Sequence, residues 1–192
     1  GYNQIIIPVV QGGIDKDLRR QSAQELCELE ADAYAIGGLA VGESKNAMLD
    51  TIAWMDELLP KNKPRYLMGV GTPTDLVSAV LNGVDMFDCV MPTRNARNGQ
   101  LFTIDGKINI RNSRYKTDFS VLDEKSSSQM SNKYTKAYLH HLFKTEEILG
   151  YRIATQHNLH FYIQLMKIMQ KEIKLGSILN WSRSFFKQYN KT

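Results

Sequence analysis

Four short apolar runs, each stopped by glycines or an acid and separated by stretches with helix signals, constrain this chain more than any other feature. They are Ile5 to Val10, Ala33 to Ile36, Arg65 to Met68 and Met86 to Cys89. The first is near-continuous in Ile, Pro and Val, as a strand buried on both faces would be. Gln11-Gly12-Gly13, Gly37-Gly38 and Gly69-Val70-Gly71 break the first three runs. Between them, Asp15 opens a predicted helix to about Glu30, and Ser44 caps a second to about Leu59. Thr72-Pro73-Thr74-Asp75 supplies an N-cap, a proline at the first helical position and an acid in the first turn. Strands alternating with helices imply right-handed βαβ units and a parallel sheet. One glycine pair alone reads as an ordinary turn. Three such clusters, each at the carboxyl end of a strand, point to a shared site, because parallel α/β folds bind ligands at that end.

The fourth run ends differently. Met86-Phe87-Asp88-Cys89-Val90-Met91-Pro92-Thr93-Arg94-Asn95-Ala96-Arg97-Asn98-Gly99 delivers a carboxylate to a strand end and follows it with what reads as a loop carrying two arginines. Taken singly, Asp88 reads as a cap or turn residue, and Arg94 and Arg97 as solvated surface. Taken together they suit a nucleophile or proton carrier beside a phosphate-binding surface. Charge points the same way. Residues 1–90 hold 7 Lys and Arg against 13 Asp and Glu, net −6, while residues 91–192 hold 17 against 7, net +10. The basic half is either a polyanion footprint or a solvated basic surface.

Beyond residue 99 the pattern changes. Gln100 to Ile104, Asp105-Gly106 and Lys107 to Ile110 read as a hairpin with a type I′ turn. A polar stretch from Ser113 to Lys133 precedes three predicted helices, about Tyr134–Leu149, Gln156–Lys174 and Ser177–Tyr189. At 192 residues and 43% hydrophobic, the chain can bury a substantial core. No run of eighteen apolar residues suggests a membrane span, and no basic segment precedes the first apolar run as in a signal peptide. Cys27 and Cys89, the only cysteines, lie in apolar contexts, which suits a reduced, cytoplasmic protein.

Several segments resemble tRNA-guanine transglycosylase. They are Gln11-Gly12-Gly13, Ala35-Ile36-Gly37-Gly38-Leu39-Ala40-Val41-Gly42-Glu43, Arg65-Tyr66-Leu67-Met68-Gly69-Val70-Gly71, the Asp88 segment, Lys107-Ile108-Asn109-Ile110-Arg111-Asn112 and Ala137-Tyr138-Leu139-His140-His141-Leu142-Phe143. Their order resembles the carboxyl-terminal half of the bacterial enzyme. The resemblance implies the C-terminal half of a (β/α)8 TIM barrel, strands 5–8, with a degenerate zinc-subdomain insertion and C-terminal helices. Residues 1–112 would form the half-barrel and hairpin, 113–157 the degenerate insertion and a helix, and 158–192 the closing helices. It implies exchange of guanine at the tRNA wobble position for a 7-deazaguanine (preQ1 in bacteria, queuine in eukaryotes) through a covalent Asp–ribose intermediate.

Carried over residue by residue, Asp88 matches the nucleophile. Gln11 matches a base-edge contact, Gly38 and Leu39 backbone contacts to the base, and Met68 a pocket wall. Arg94 and Arg97 match contacts to the tRNA anticodon loop. Val41 stands where eukaryotic relatives tend to have Gly, which implies a narrower pocket favouring guanine and preQ1.

Two departures accompany the resemblance. The family's three zinc cysteines correspond to Ser126, Ser128 and Ser131, with His157 retained. A protonated hydroxyl binds zinc far more weakly than a thiolate, so no zinc and no other cofactor is expected, and residues 118–133 are expected to be mobile or held by other contacts. The general acid/base Asp and a second base-reading Asp belong to the half of the family's length not matched here. A half-barrel has open sheet edges, so a separate N-terminal half or a homodimer partner is expected to complete it. The alternative is a catalytically inactive tRNA-binding or partner subunit.

Overall fold

A computed structural model describes residues 4–189. The opening Gly1-Tyr2-Asn3, read above for a leader, lies outside them. The chain divides into two compact units, residues 1–89 and 90–192, so the acidic and basic halves are also separate structural units.

The first unit is a four-stranded parallel sheet with three helices. β1 (Val9–Val10), β2 (Tyr34–Ile36), β3 (Arg65–Met68) and β4 (Met86–Asp88) lie side by side in chain order. Each is followed or preceded by α1 (Lys16–Cys27), α2 (Lys45–Leu58) or α3 (Pro73–Leu81). The helices start where their caps say. Asp15 accepts from the N–H groups of Asp17 and Leu18, Ser44 from Ala47, and Thr72 from Asp75. β1 is shorter than the apolar run that predicted it. Residues 5–8 fall outside it, Pro8 has no N–H to donate, and Ile5 and Ile6 are exposed.

The register divides the sheet into two faces. Val10 pairs with Ile36, Ile36 with Leu67 and Leu67 with Phe87. These side chains join Ala23, Met48, Ile52, Met55 and Ala79 of the helices in one core. Each fully buried Leu or Ile there contributes about 1.5–3 kcal/mol. The alternate residues Tyr66, Met68, Met86 and Asp88 point to the other face and are exposed or half-buried.

The second unit begins with α4 (Met91–Arg97), then β5 (Gln100–Thr103) and β6 (Gly106–Asn109) as an antiparallel hairpin. A 3-10 turn (Ser113–Tyr115) and α5 (Gln129–Lys133), α6 (Lys136–Lys144), α7 (Ile148–Lys174) and α8 (Ile178–Tyr189) follow. The hairpin, grouped with the half-barrel in the sequence reading, packs on α7: Phe102 meets the rings of Phe161 and Tyr162 at 6.3 and 5.3 Å between centroids.

Three local expectations need correction. The hairpin turn is Ile104-Asp105, with Thr103 paired to Gly106, and neither turn residue has the positive φ of a type I′ turn. Thr103 selects this register: its hydroxyl donates to the Gly106 carbonyl at 3.0 Å and accepts from the Asp105 N–H at 3.2 Å. Residues 91–97 form a helix, not a loop, because Pro92 suits a first turn and Arg94 N–H closes on Val90 O at 2.8 Å. Finally, α7 starts at Ile148, eight residues before its predicted start. The break before it sits at Thr145–Glu147, where Glu146 has φ +55° and Glu147 N–H turns back to Leu142 O.

Asn158 ties this unit together. It is fully buried on α7, accepts from Phe102 N–H at 3.0 Å, and donates to Pro92 O and Gln100 O at 2.9 and 3.0 Å. Leucine has nearly its shape but would strand three backbone groups, each costing about 1–3 kcal/mol. Asn158→Leu is therefore expected to lower stability by about 3 kcal/mol or more in urea denaturation. A loss within experimental error of zero would show that the three groups find other partners.

Candidate active site

The carboxyl ends of the four parallel strands bring together the side chains that the sequence separates by up to 77 positions. The pair Met68–Asp88 closes the β3–β4 register, one step beyond Leu67–Phe87. On β2 the position after Ile36 is Gly37, and on β1 the position after Val10 is Gln11. Gln11, Gly37, Met68 and Asp88 thus form the last rung of one sheet. Met68 and Asp88 project from the face that the helices leave open, with Met68 36% exposed.

Asp88 is exposed, and its orientation is set by hydrogen bonds. Tyr66 Oη–H donates to Asp88 Oδ1 at 2.7 Å, and the Gly69 N–H donates to the same oxygen at 3.1 Å. Tyr66 reaches it because both side chains stand on the open face. The hydrogen bond to Asp88, then partial burial, push the Tyr66 phenol above its ordinary range. Tyr66 therefore stays a donor at neutral pH. One carboxylate oxygen is anchored twice, and Oδ2 has no hydrogen bond to the described residues. A carboxylate held by one oxygen and open at the other has the geometry of a nucleophile with a fixed rotamer.

The loop after β2 lies against Gln11. A Cβ on Gly38 would come within 2.7 Å of Gln11 Oε1, and one on Gly37 within 2.7 Å of Gln11 Nε2. The Gln11 side-chain amide therefore packs directly on the Gly37–Gly38 backbone, and Gly38 also has φ +66°. Leu39 is buried in the core beneath, whereas Val41 is 82% exposed. Ala40, a non-glycine residue at φ +60°, is held by Glu43. Glu43 accepts from Ala40 N–H at 2.5 Å through one oxygen and from Val41 N–H at 3.0 Å through the other. Burial alone would push the Glu43 carboxyl up. The backbone N–H groups of residues 40–43 outweigh it and hold the carboxyl below its ordinary value.

Arg94 and Arg97 are both exposed, in the last turn of α4, where positive charge complements the helix dipole. They belong to the second unit, as do the four positions matched to zinc ligands. There Ser131, on α5, is fully buried and lies 2.7 Å from His157 Nδ1. His157 Nε2 lies 2.8 Å from the Phe102 carbonyl. A carbonyl only accepts, so Nε2 carries the proton and Nδ1 accepts from the Ser131 hydroxyl. Burial pushes the His157 imidazole down, in keeping with a neutral ring. Ser126 Oγ accepts from the Ser128 N–H at 3.2 Å. Three hydroxyls and an imidazole already spent on a serine do not fit a thiolate-type zinc site. Among the described residues, no cluster of three or more His, Cys, Asp and Glu side chains is placed to hold a metal. The polar stretch is held by other contacts. Leu122 N–H donates to Ser131 O, Lys136 N–H to Ser120 O, and Ala137 N–H to Asp118 O at 2.7 Å.

Three residues that shape the site escaped the sequence reading: Tyr66, Glu43 and Arg19. Arg19 left a signal. It sits four residues before Ala23 on the stripe that α1 buries, where a cation is out of place. Glu43 and Tyr66 carry no comparable mark. The Glu43 contact makes a pH prediction. Its carboxyl is lowered in the fold, so its support for residues 40–41 is complete above the unfolded value, about 4.3, and is lost as pH falls through the lower folded value. In an NMR titration the Ala40 and Val41 amide shifts are expected to inflect below pH 4.3. Inflection at or above that value would contradict the assignment.

Comparison with known proteins gives the family. Residues 1–191 match the family described as queuine tRNA-ribosyltransferase. The queuine tRNA-ribosyltransferase of Thermoanaerobacter sp. (strain X514) is 51% identical over 186 residues, 97% of this chain and 50% of that protein. That of Halothermothrix orenii is 46% identical over 187 residues, 97% and 50%. That of Dichelobacter nodosus is 53% identical over 178 residues, 93% and 48%. The chain spans about half the length of the curated relatives it matches. Along its length, this chain belongs to the queuine tRNA-ribosyltransferase family.

Proposed function

We propose that this chain is the carboxyl-terminal half of a bacterial-type tRNA-guanine transglycosylase, carrying the nucleophile and much of the base pocket. The observation that supports this most is Asp88, anchored through Oδ1 and open at Oδ2, on the same rung as Gln11, Gly37 and Met68. Strand order supports the half-barrel. The four strands run β1-β2-β3-β4 without the reversal of a doubly wound sheet, and helices cover one face only.

In the reaction, the wobble nucleotide leaves the stack and Asp88 Oδ2 attacks the ribose C1′. The C1′–N9 bond to guanine breaks as the C1′–O bond forms, and guanine leaves with the electron pair. The incoming preQ1 gives up its ring N–H proton to the general base and displaces the carboxylate, the C1′–O bond breaking as the C1′–N bond forms with the original configuration. Gln11 reads the base edge with an amide that donates and accepts. Gly38 and Leu39 offer backbone, Met68 lies along the flat ring, and Val41 narrows the pocket toward preQ1. Arg94 and Arg97 bind the anticodon-loop phosphates, with the +10 charge of residues 91–192 behind them. Among the described residues no strand pairs with the outer edges of β1 and β4, which suits completion by an amino-terminal half. The general acid/base carboxylate would come with it. No structural zinc is expected, because two of the four positions, Ser131 and His157, hydrogen-bond directly and tie α5 to α7, and His157 in turn meets the Phe102 carbonyl.

Completed with the amino-terminal half of a relative, the chain is expected to form a covalent adduct with tRNA, seen as a denaturant-resistant band, and Asp88→Asn to abolish it. It is also expected to incorporate preQ1 in preference to queuine, and Val41→Gly to reduce that preference. A complemented protein that binds tRNA without an adduct would favour a non-catalytic partner subunit. Dialysed protein is expected to carry no stoichiometric zinc by elemental analysis; zinc at one per chain would overturn that part of the reading.

A further inference from the structure

Arg19 is the least explained residue of the first unit. Its side chain is fully buried, yet no carboxylate lies within ion-pair distance among the described residues. All its hydrogen bonds go to backbone carbonyls. Nε donates to Gly13 O at 2.8 Å, Nη1 to Val10 O at 3.0 Å and Nη2 to Gly37 O at 2.8 Å. Burying a guanidinium away from any carboxylate costs several kcal/mol by general estimates, offset by the three carbonyls it satisfies.

Two of the three carbonyls belong to the strand ends that meet at Gln11, and the third to the Gly12-Gly13 turn. The Gly37 carbonyl matters most. In a planar trans peptide the C=O and N–H point in opposite directions. With Gly37 O turned inward to the guanidinium, the Gly38 N–H points out of the core. Gly38 is exposed, and its N–H has no partner among the described residues. A cation on the carbonyl polarises the amide and makes that N–H a stronger donor. The Gln11 amide lies beside it, close enough that a Cβ on either glycine would collide with it.

We infer that Arg19 is a positioning residue for base recognition: it fixes the Gly37–Gly38 peptide against Gln11 and strengthens the Gly38 N–H toward a purine 6-carbonyl. The inference rests on the base-pocket reading above. A lysine at position 19 keeps the charge but lacks the rigid fork that reaches three carbonyls.

The test uses the chain completed with the amino-terminal half of a relative, with guanine and 2-aminopurine, which lacks the 6-carbonyl, as probes. Binding and amide shifts are followed by NMR, and folding by thermal melting. Arg19→Lys is expected to melt cooperatively, move the Gly38 amide proton upfield and weaken guanine binding about tenfold, about 1.4 kcal/mol. Binding of 2-aminopurine is expected to stay within twofold. Folded Arg19→Lys with an unmoved Gly38 amide and unchanged guanine affinity overturns the inference and leaves the base pocket standing. Failure of the unaltered, completed protein to bind guanine overturns the base pocket itself, and the inference with it. Should Arg19→Lys not fold, the unaltered protein decides. Saturating guanine must shift the Gly38 amide downfield more than the other amides of residues 4–89, and a smaller shift overturns the inference.

Discussion

The parallel register of β3 and β4 is the constraint on which the site depends. Setting Met68 opposite Asp88 also sets Tyr66 two residues back on the same face, within reach of the carboxylate. A slip of one residue would turn Asp88 toward the helices and Phe87 to the open face. The register is secured from the buried side, where Leu67, Ile36 and Val10 pack with the helices, and at the strand entry by Arg65. The Arg65 guanidinium is buried, pairs with Asp56, and donates to Leu59 O at 2.9 Å. Apolar alternation on the buried side and Arg65 at the strand entry together hold Asp88 and Met68 in register.

The second unit achieves rigidity by different means. Its core of Leu101, Ile110, Leu139, Phe143 and Ile153 is apolar, but the polar segment over it is tied by specific hydrogen bonds. Ser131, His157 and the Phe102 carbonyl form a continuous buried chain from α5 through α7 to β5. Each donor in it has one acceptor, which is why it is affordable in a low-dielectric interior. A metal would cross-link the same segments more strongly, but it would need thiolates, and a serine hydroxyl satisfies its neighbour only because the imidazole stays neutral.

Much of the first unit was legible because its signals are local. Asp15, Ser44 and Thr72-Pro73 cap helices through bonds to residues two or three positions away, and glycines end strands for reasons of backbone conformation. What was not legible depends on distant partners. Thr103 shifts the hairpin turn by one residue through its own hydroxyl, against the preference of Asp105-Gly106. Residues 148–155 join α7 because they bury Ile153 and Ala154 in the second core. Arg94 and Arg97 were visible as charges but not as a helix end. Asp88 and Gln11 were expected at the site from motif order, whereas Tyr66 and Glu43 make their contacts 22 residues away or around a strained Ala40 and left no such mark.

Anchoring and openness divide the work at Asp88. A carboxylate nucleophile gains little from being made more basic if it can rotate, because attack at an anomeric carbon needs one oxygen on the line of the departing bond. Tyr66 and Gly69 both bind Oδ1, and they approach from β3, so the free Oδ2 is turned away from that strand. The same two donors would stabilise the carboxylate once it is released from the sugar and again carries its charge. In the proposed reaction they would weaken its nucleophilicity while giving it direction, which favours a reversible ester over a permanent one. In the proposed base exchange the intermediate must be as easy to break as to form, and two hydrogen bonds on Oδ1, the oxygen not bonded to the sugar, would favour departure of the carboxylate.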